Sequence, residues 1–125
     1  MNAKRANGAS DPTEAEIRYI LVNVARVKGL ITYSELVKRV KNYKMNPNIV
    51  TLANKLTSIS KREHALGRGL LSAVVIRKKM PEQGIPGSGF FNRLAPFLKC
   101  RGQTKRVCWQ RHLDQVYNAW NRRRC

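Results

Sequence analysis

The chain has 125 residues, 25 of them Lys or Arg and seven Asp or Glu, giving a formal net charge of +18. A surplus of that size repels itself unless a polyanion neutralises it, and the usual polyanions are nucleic acid, ribosome or an anionic membrane surface. No apolar run nears the roughly 20 residues that span a bilayer, and the three unevenly spaced cysteines make no disulfide framework, which sets aside membrane-embedded and disulfide-scaffold classes; seven acids, three of them explained by helix caps, make a two-metal hydrolytic centre improbable.

Met1 to Ser10 is short, polar and small, which reads as a disordered arm over residues 1–10 without a signal-peptide core, so a cytoplasmic protein is expected. Asp11, Pro12 and Glu14 then open a helix with a capping carboxylate, a proline at the first helical position and an early acid. Ile17, Ile20, Leu21, Val24 and Val27 recur at helical spacing, and Lys28 and Gly29 supply a basic last turn and a left-handed stop.

Leu30 and Ile31 form a short apolar pair before Thr32-Tyr33-Ser34-Glu35, where Thr32 and Glu35 can cap one another's backbone donors. A second helix to about Tyr43 buries Leu36, Val37 and Val40 and turns Lys38, Arg39 and Lys41 outward. Asn46 and Pro47 open a third helix, with Val50, Ala53, Leu56 and Ile59 inward and Lys55, Ser58, Lys61 and Arg62 on a polar, basic face. Gly67 and Gly69 end it.

Leu70 to Ile76 is a β-branched run of strand length, followed by Arg77-Lys78-Lys79 and a Pro/Gly-rich stretch to Gly89 that reads as an exposed hairpin tip with a return strand. Phe91, Leu94, Ala95 and Leu98 return to the core in a short helix or turn that Pro96 makes irregular. Thr104 caps a last helix whose stripe of Trp109, Leu113, Val116, Tyr117 and Trp120 seeks burial against the first helix or a twin subunit. Residues 122–125 form a basic tail.

This order predicts an α+β, mostly α fold: a single winged helix-turn-helix domain over residues 11–121 with an additional C-terminal helix. The predicted nucleic-acid-binding set is Tyr33, Lys38, Arg39, Lys55, Ser58, Lys61, Arg62, Arg77, Lys78, Lys79 and Arg93, because the third helix would face base edges and the other elements the phosphates. The glycines Gly84, Gly87 and Gly89 lack the Lys-Ser/Thr that a P-loop needs, and suit a tip that approaches a backbone closely.

Glu63 and His64 form the one acid-base cluster with a hydrolytic look, and read better as a solvated last turn. Cys100, Cys108 and His112 offer three zinc ligands without the paired Cys-x-x-Cys knuckle, and free thiols are the default expectation. No cofactor and no catalytic residue is predicted.

Ile31-Thr32-Tyr33-Ser34-Glu35-Leu36 resembles the hydrophobic-Thr-Thr-Tyr-Gly-Glu-Leu stretch in the DNA-binding half of alkylguanine-DNA alkyltransferases and their alkyltransferase-like relatives. The resemblance runs from there to Ile76 and implies a winged helix in which Tyr33 sits beside the DNA backbone. The Pro-Cys-His-Arg reactive motif has no counterpart, Leu70-Leu71-Ser72-Ala73 standing there, so alkyl transfer is not implied. The segments from Gly69 to Val75 and Ile85 to Phe91, with Trp109 and Val116 to Trp120, are also similar to small uncharacterised bacterial and phage proteins.

The expected function is non-enzymatic nucleic-acid binding, duplex DNA favoured, in a regulator, architectural or phage accessory factor. The alternatives are a basic inhibitor that covers an acidic or nucleic-acid-binding protein, an RNA binder and a small nuclease. Self-association is left open.

Overall fold

The computed structural model describes residues 12–40, 49–78 and 84–122. The expected arm, the Asp11 and Asn46-Pro47 caps, Lys79 and the end of the basic tail lie outside these residues. The described chain is mostly helical: α1 (Pro12–Arg26), β1 (Ile31–Thr32), α2 (Tyr33–Arg39), α3 (Ile49–Ala65), a 3-10 turn (Leu71–Val74), β2 (Val75–Ile76), α4 (Ser88–Arg93), α5 (Ala95–Leu98) and α6 (Lys105–Arg122). No described helix is long and apolar enough to cross a membrane.

Helix α1 buries Ile17, Leu21, Val22, Val24 and Ala25. It stops because the Gly29 and Lys28 amides turn back to Val24 and Ala25 carbonyls at 2.9 and 3.0 Å, satisfying two of the helix's orphan acceptors. The left-handed residue is Lys28, at φ 54°, one position earlier than expected. Gly29 is not itself left-handed, and a Cβ there would make only ordinary contact with the Val24 carbonyl oxygen, 3.4 Å away.

The Thr32–Glu35 capping box is present: the Glu35 amide donates to Thr32 Oγ1 at 3.2 Å and the Thr32 amide to Glu35 Oε1 at 3.3 Å. It starts α2, which packs Leu36 and Val40 inward and ends at Arg39, short of the expected Tyr43. Helix α3 buries Leu56 and Ile59 as expected and also Leu52, Ser60 and Glu63, while Ala53 is half-buried and the Val50 side chain lies outside the described residues. It closes on Gly67, at φ 78°, with Arg68 and Gly67 amides returned to Glu63 and His64 carbonyls.

The expected strand from Leu70 is mostly a 3-10 turn; only Val75 and Ile76 extend, pairing in parallel with Ile31 and Thr32. The reason is side-chain competition for the backbone. Ser60 Oγ accepts the Ser72 amide at 2.9 Å, Trp109 Nε1 donates to the Ala73 carbonyl at 2.7 Å, and the Ala73 amide turns back to Leu70. Gly69 lets this turn approach α6, where a Cβ would come within 3.1 Å of Val116 Cγ2.

The expected return strand is α4 instead. A remnant of the hairpin survives at its base, where Arg77 exchanges backbone hydrogen bonds with Gly84 and Ile85 at 2.9 and 2.8 Å. Helix α6, capped by Thr104 Oγ1 accepting the Val107 amide at 3.1 Å, lies against α1, the 3-10 turn and α5 with Trp109, Leu113, Val116 and Trp120 buried. Tyr117 Oη donates to the Gly29 carbonyl at 2.5 Å, fastening α6 to the end of α1. The aromatic stripe is therefore core.

Candidate nucleic-acid interface

Two groups of cations differ in their surroundings. Beside α1, three arginines, Arg18, Arg62 and Arg68, are paired with buried acids. Arg68 donates through Nε and Nη2 to the two oxygens of Glu63 at 2.6 and 3.1 Å, Arg18 adds a bond at 2.9 Å, and the Glu63 side chain is 1 % exposed. Burial alone would raise the Glu63 pKa, but hydrogen bonds from Arg68 and Arg18 outweigh it and hold the carboxyl below its ordinary range. Both guanidiniums also lie over the Trp120 ring, Arg18 at 5.6 Å and Arg68 at 5.2 Å from its centre.

Glu63 is thus a structural anchor, correcting the expectation of a solvated last turn; His64 is exposed and meets Phe97 edge-on at 4.9 Å. Glu14, placed by sequence in a helix start, is buried and accepts from Ser58 Oγ at 3.2 Å and Arg62 Nη2 at 3.0 Å. Ser58 and Arg62 therefore face α1, not an open groove. Lys55 lies on the same flank of α3, because helical positions three and seven residues apart share a face.

The second population surrounds the start of α2, the outer row of α3 and the segment from Arg77 to α4. Tyr33, Arg77 and Lys78 line a cavity of about 470 Å³ together with Val37, Leu52, Ala53, Leu56 and Thr57. Lys38 lies one turn from Ser34 and Lys61 one turn from Thr57, both lining residues, so each continues a row that begins at the cavity. Arg93 Nη1 donates to Asn54 Oδ1, tying α4 to α3 at the same rim.

Of the predicted site residues, the structure brings together Tyr33, Lys38, Lys61, Arg77, Lys78 and Arg93. Arg39 is exposed on the side of α2 away from Val37, and Lys55, Ser58 and Arg62 belong to the α1 flank. Tyr33 is half-buried, with Oη accepting the Gly87 amide at 3.1 Å; burial raises its pKa, which the Gly87 bond and Arg77 partly oppose.

Two cations escaped the prediction. An added Cβ at Gly84 would lie 4.0 Å from Arg106 Nη1, and Lys105 Nζ sits 5.4 Å from the centre of the Phe91 ring, so the first turn of α6 abuts the hairpin base and α4. The signal was the basic run from Lys99 to Arg106, uninterrupted by an acid. Among the described residues no Asp or Glu lines the cavity itself, though Glu35 Oε1 accepts from the hydroxyl of the lining residue Thr32 at 3.3 Å.

Cys100 and Cys108 are joined by a disulfide with Cα atoms 5.3 Å apart, which corrects the expectation of free thiols. His112 Nε2 donates to the Leu98 carbonyl at 2.8 Å. Those sulfurs and that ring nitrogen are already committed, and among the described residues no group of three His, Cys, Asp or Glu is placed to hold a metal. Comparison with protein-family models, curated proteins and solved structures finds no match.

Proposed function

We propose that the chain is a non-enzymatic nucleic-acid-binding protein that engages duplex DNA in the manner of a winged helix-turn-helix. Helix α2 and the Arg77–Ile85 hairpin base would track phosphates while the outer row of α3, through Asn54 and Lys61, meets the groove. The observation that carries this reading is the unequal pairing of charge: buried Glu14 and Glu63 neutralise Arg18, Arg62 and Arg68 on one side, while exposed Lys38, Lys61, Lys78 and Arg93 gather on the other, where Glu35 is the one acid among the described residues. The α1–β1–α2–α3–β2 order and the Tyr33 motif support the winged-helix form.

Five phosphate contacts would give a log–log salt slope of about −4 to −5 on duplex DNA. Fluorescence anisotropy between about 50 and 300 mM salt reads it, each neutralised phosphate contributing about one unit of slope. Lys38→Ala and Lys78→Ala should each flatten the slope by about 1, whereas Arg62→Gln should leave it unchanged. A salt-independent affinity, or none, overturns the reading; preference for structured RNA in competition reassigns the partner.

A further inference from the structure

We infer that the cavity between α2, α3 and α4 is a binding site for a neutral, mainly aliphatic molecule with one hydrogen-bond acceptor, such as an alkyl ketone. The site is separate from duplex binding and does not depend on it. Its volume of about 470 Å³ falls within the about 300–1,000 Å³ of small-molecule sites. Exposed Ser34, Lys78 and Ser88 among its lining residues open it to solvent.

The wall sets the body of the ligand. Val37, Leu52, Ala53, Leu56 and Leu94 present aliphatic carbon, and Phe90, the apolar ring beside them, is already met edge-on by Phe91 at 5.2 Å between ring centres. Hydrocarbon packs against such side chains without the fixed geometry that ring stacking demands.

Two hydroxyls set the polar end. Tyr33 Oη accepts the Gly87 amide at 3.1 Å, so its own proton remains to be given, and burial raises its pKa and keeps the phenol a donor at neutral pH. Ser72 Oγ accepts from Ser60 Oγ at 2.7 Å while Ser60 Oγ accepts the Ser72 amide at 2.9 Å. The proton of buried Ser72 therefore has no acceptor among the described residues, and a ligand carbonyl oxygen would supply one.

The mouth disfavours an ion. Arg77 is already engaged within the fold, and Glu35 Oε1 accepts from the hydroxyl of the lining residue Thr32 at 3.3 Å, so charges of both signs stand there. Lys78 is exposed and keeps its own hydration. A charged ligand would lose water against aliphatic carbon without a counter-ion reserved for it among the described residues, whereas a neutral carbonyl loses far less.

The test titrates 2-octanone into the full chain, freed of nucleic acid, by isothermal calorimetry near neutral pH. One saturable site is expected, with an affinity that does not fall as salt rises from about 50 to 300 mM, since no charge is screened. Octanoate, similar in length but charged, should bind at least tenfold more weakly, and Tyr33→Phe should weaken the ketone at least fivefold. Ala53→Phe fills the cavity and should weaken it at least tenfold. Gly89→Leu adds bulk from α4, where a Cβ would stand 3.9 Å from the Ala53 Cβ, and serves as the second blocking variant should Ala53→Phe not fold. Unsaturable heats, an affinity that falls with salt, octanoate binding as tightly as the ketone, or ketone binding unmoved by Tyr33→Phe or by a folded blocking variant would each overturn the assignment. Because the titration contains no DNA, none of these outcomes bears on duplex affinity.

Discussion

Two buried ionisable side chains make the stability of this molecule depend on pH, Glu63 through its arginine partners and His112 through its burial. Glu63 is held below its ordinary value of 4.5, so its contribution is full above that pH and disappears as pH falls through the lower folded value. Arg68→Leu removes the two-pronged partner and leaves the carboxylate with Arg18 alone. We expect a loss of about 3 kcal/mol at pH 7, together with an acid-unfolding midpoint moved to higher pH, both read by urea titration across pH 3–7. An unchanged midpoint would mean that Arg18 suffices.

His112 works in the opposite chemical sense. Burial lowers its pKa from 6.5, the Leu98 carbonyl opposes this, and Arg111 and His64 add to it. The carbonyl fixes the proton on Nε2, leaving Nδ1 buried without a partner, so a second proton would be charged and unsolvated. The folded state stays neutral where the unfolded chain protonates, and stability falls as pH drops below 6.5. Urea midpoints should decline between pH 7.5 and 5.5, and His112→Gln should flatten that decline.

At the scale of elements, the disulfide between Cys100 and Cys108 ties the end of α5 to the first turn of α6 across eight residues of sequence. Closing so short a loop contributes about 2–3 kcal/mol by restricting the unfolded chain. Reduction should lower the thermal midpoint accordingly, and alkylation of the unfolded, unreduced protein should label Cys125 alone, against three cysteines after reduction. Three labels without reductant would refute the pairing.

Elements governed by neighbouring residues were legible in the sequence. The Thr32–Glu35 box, the Gly67 stop and the Trp109–Trp120 stripe each follow from spacing within one element. The Leu71–Val74 turn was not, because the groups that take its backbone, Ser60 and Trp109, lie 12 and 36 residues away. The disulfide required a loop geometry that eight residues of spacing do not specify.

The face of α3 illustrates the same boundary for the site. A stripe through Val50, Ala53, Leu56 and Ile59 assigns Ser58 and Arg62 to the open side. Leu56 and Ile59 are buried as that stripe requires, but buried Leu52, Ser60 and Glu63 widen the inward face, and Ser58 and Arg62 turn to Glu14, 44 and 48 residues earlier. Lys61, Arg77, Lys78 and Arg93 could be picked from charge and position, but the cavity among them depends on how α2, α3 and α4 meet. Its Ser72 hydroxyl comes from a segment expected to be strand.

For the whole molecule, a charge of +18 imposes two salt dependences of opposite sign, and their opposition separates self-repulsion from ligand binding. The free protein is strained by like charges that 10 mM salt barely screens, the Debye length being about 30 Å there and about 8 Å at 0.15 M. Raising salt across that range should stabilise it by on the order of 1 kcal/mol, or about 3–6 °C in thermal midpoint at this length. A bound duplex neutralises the same cations directly and, at about 100-fold excess over Kd, adds about 2.7 kcal/mol; salt removes that gain by weakening the phosphate contacts. Differential scanning calorimetry with and without duplex should therefore give two curves that converge as salt rises, the free protein climbing while the increment due to DNA shrinks. Parallel curves would show that the duplex and the added ions do not relieve the same repulsion, and the cationic rim would lose its assigned role even if some affinity for DNA remained.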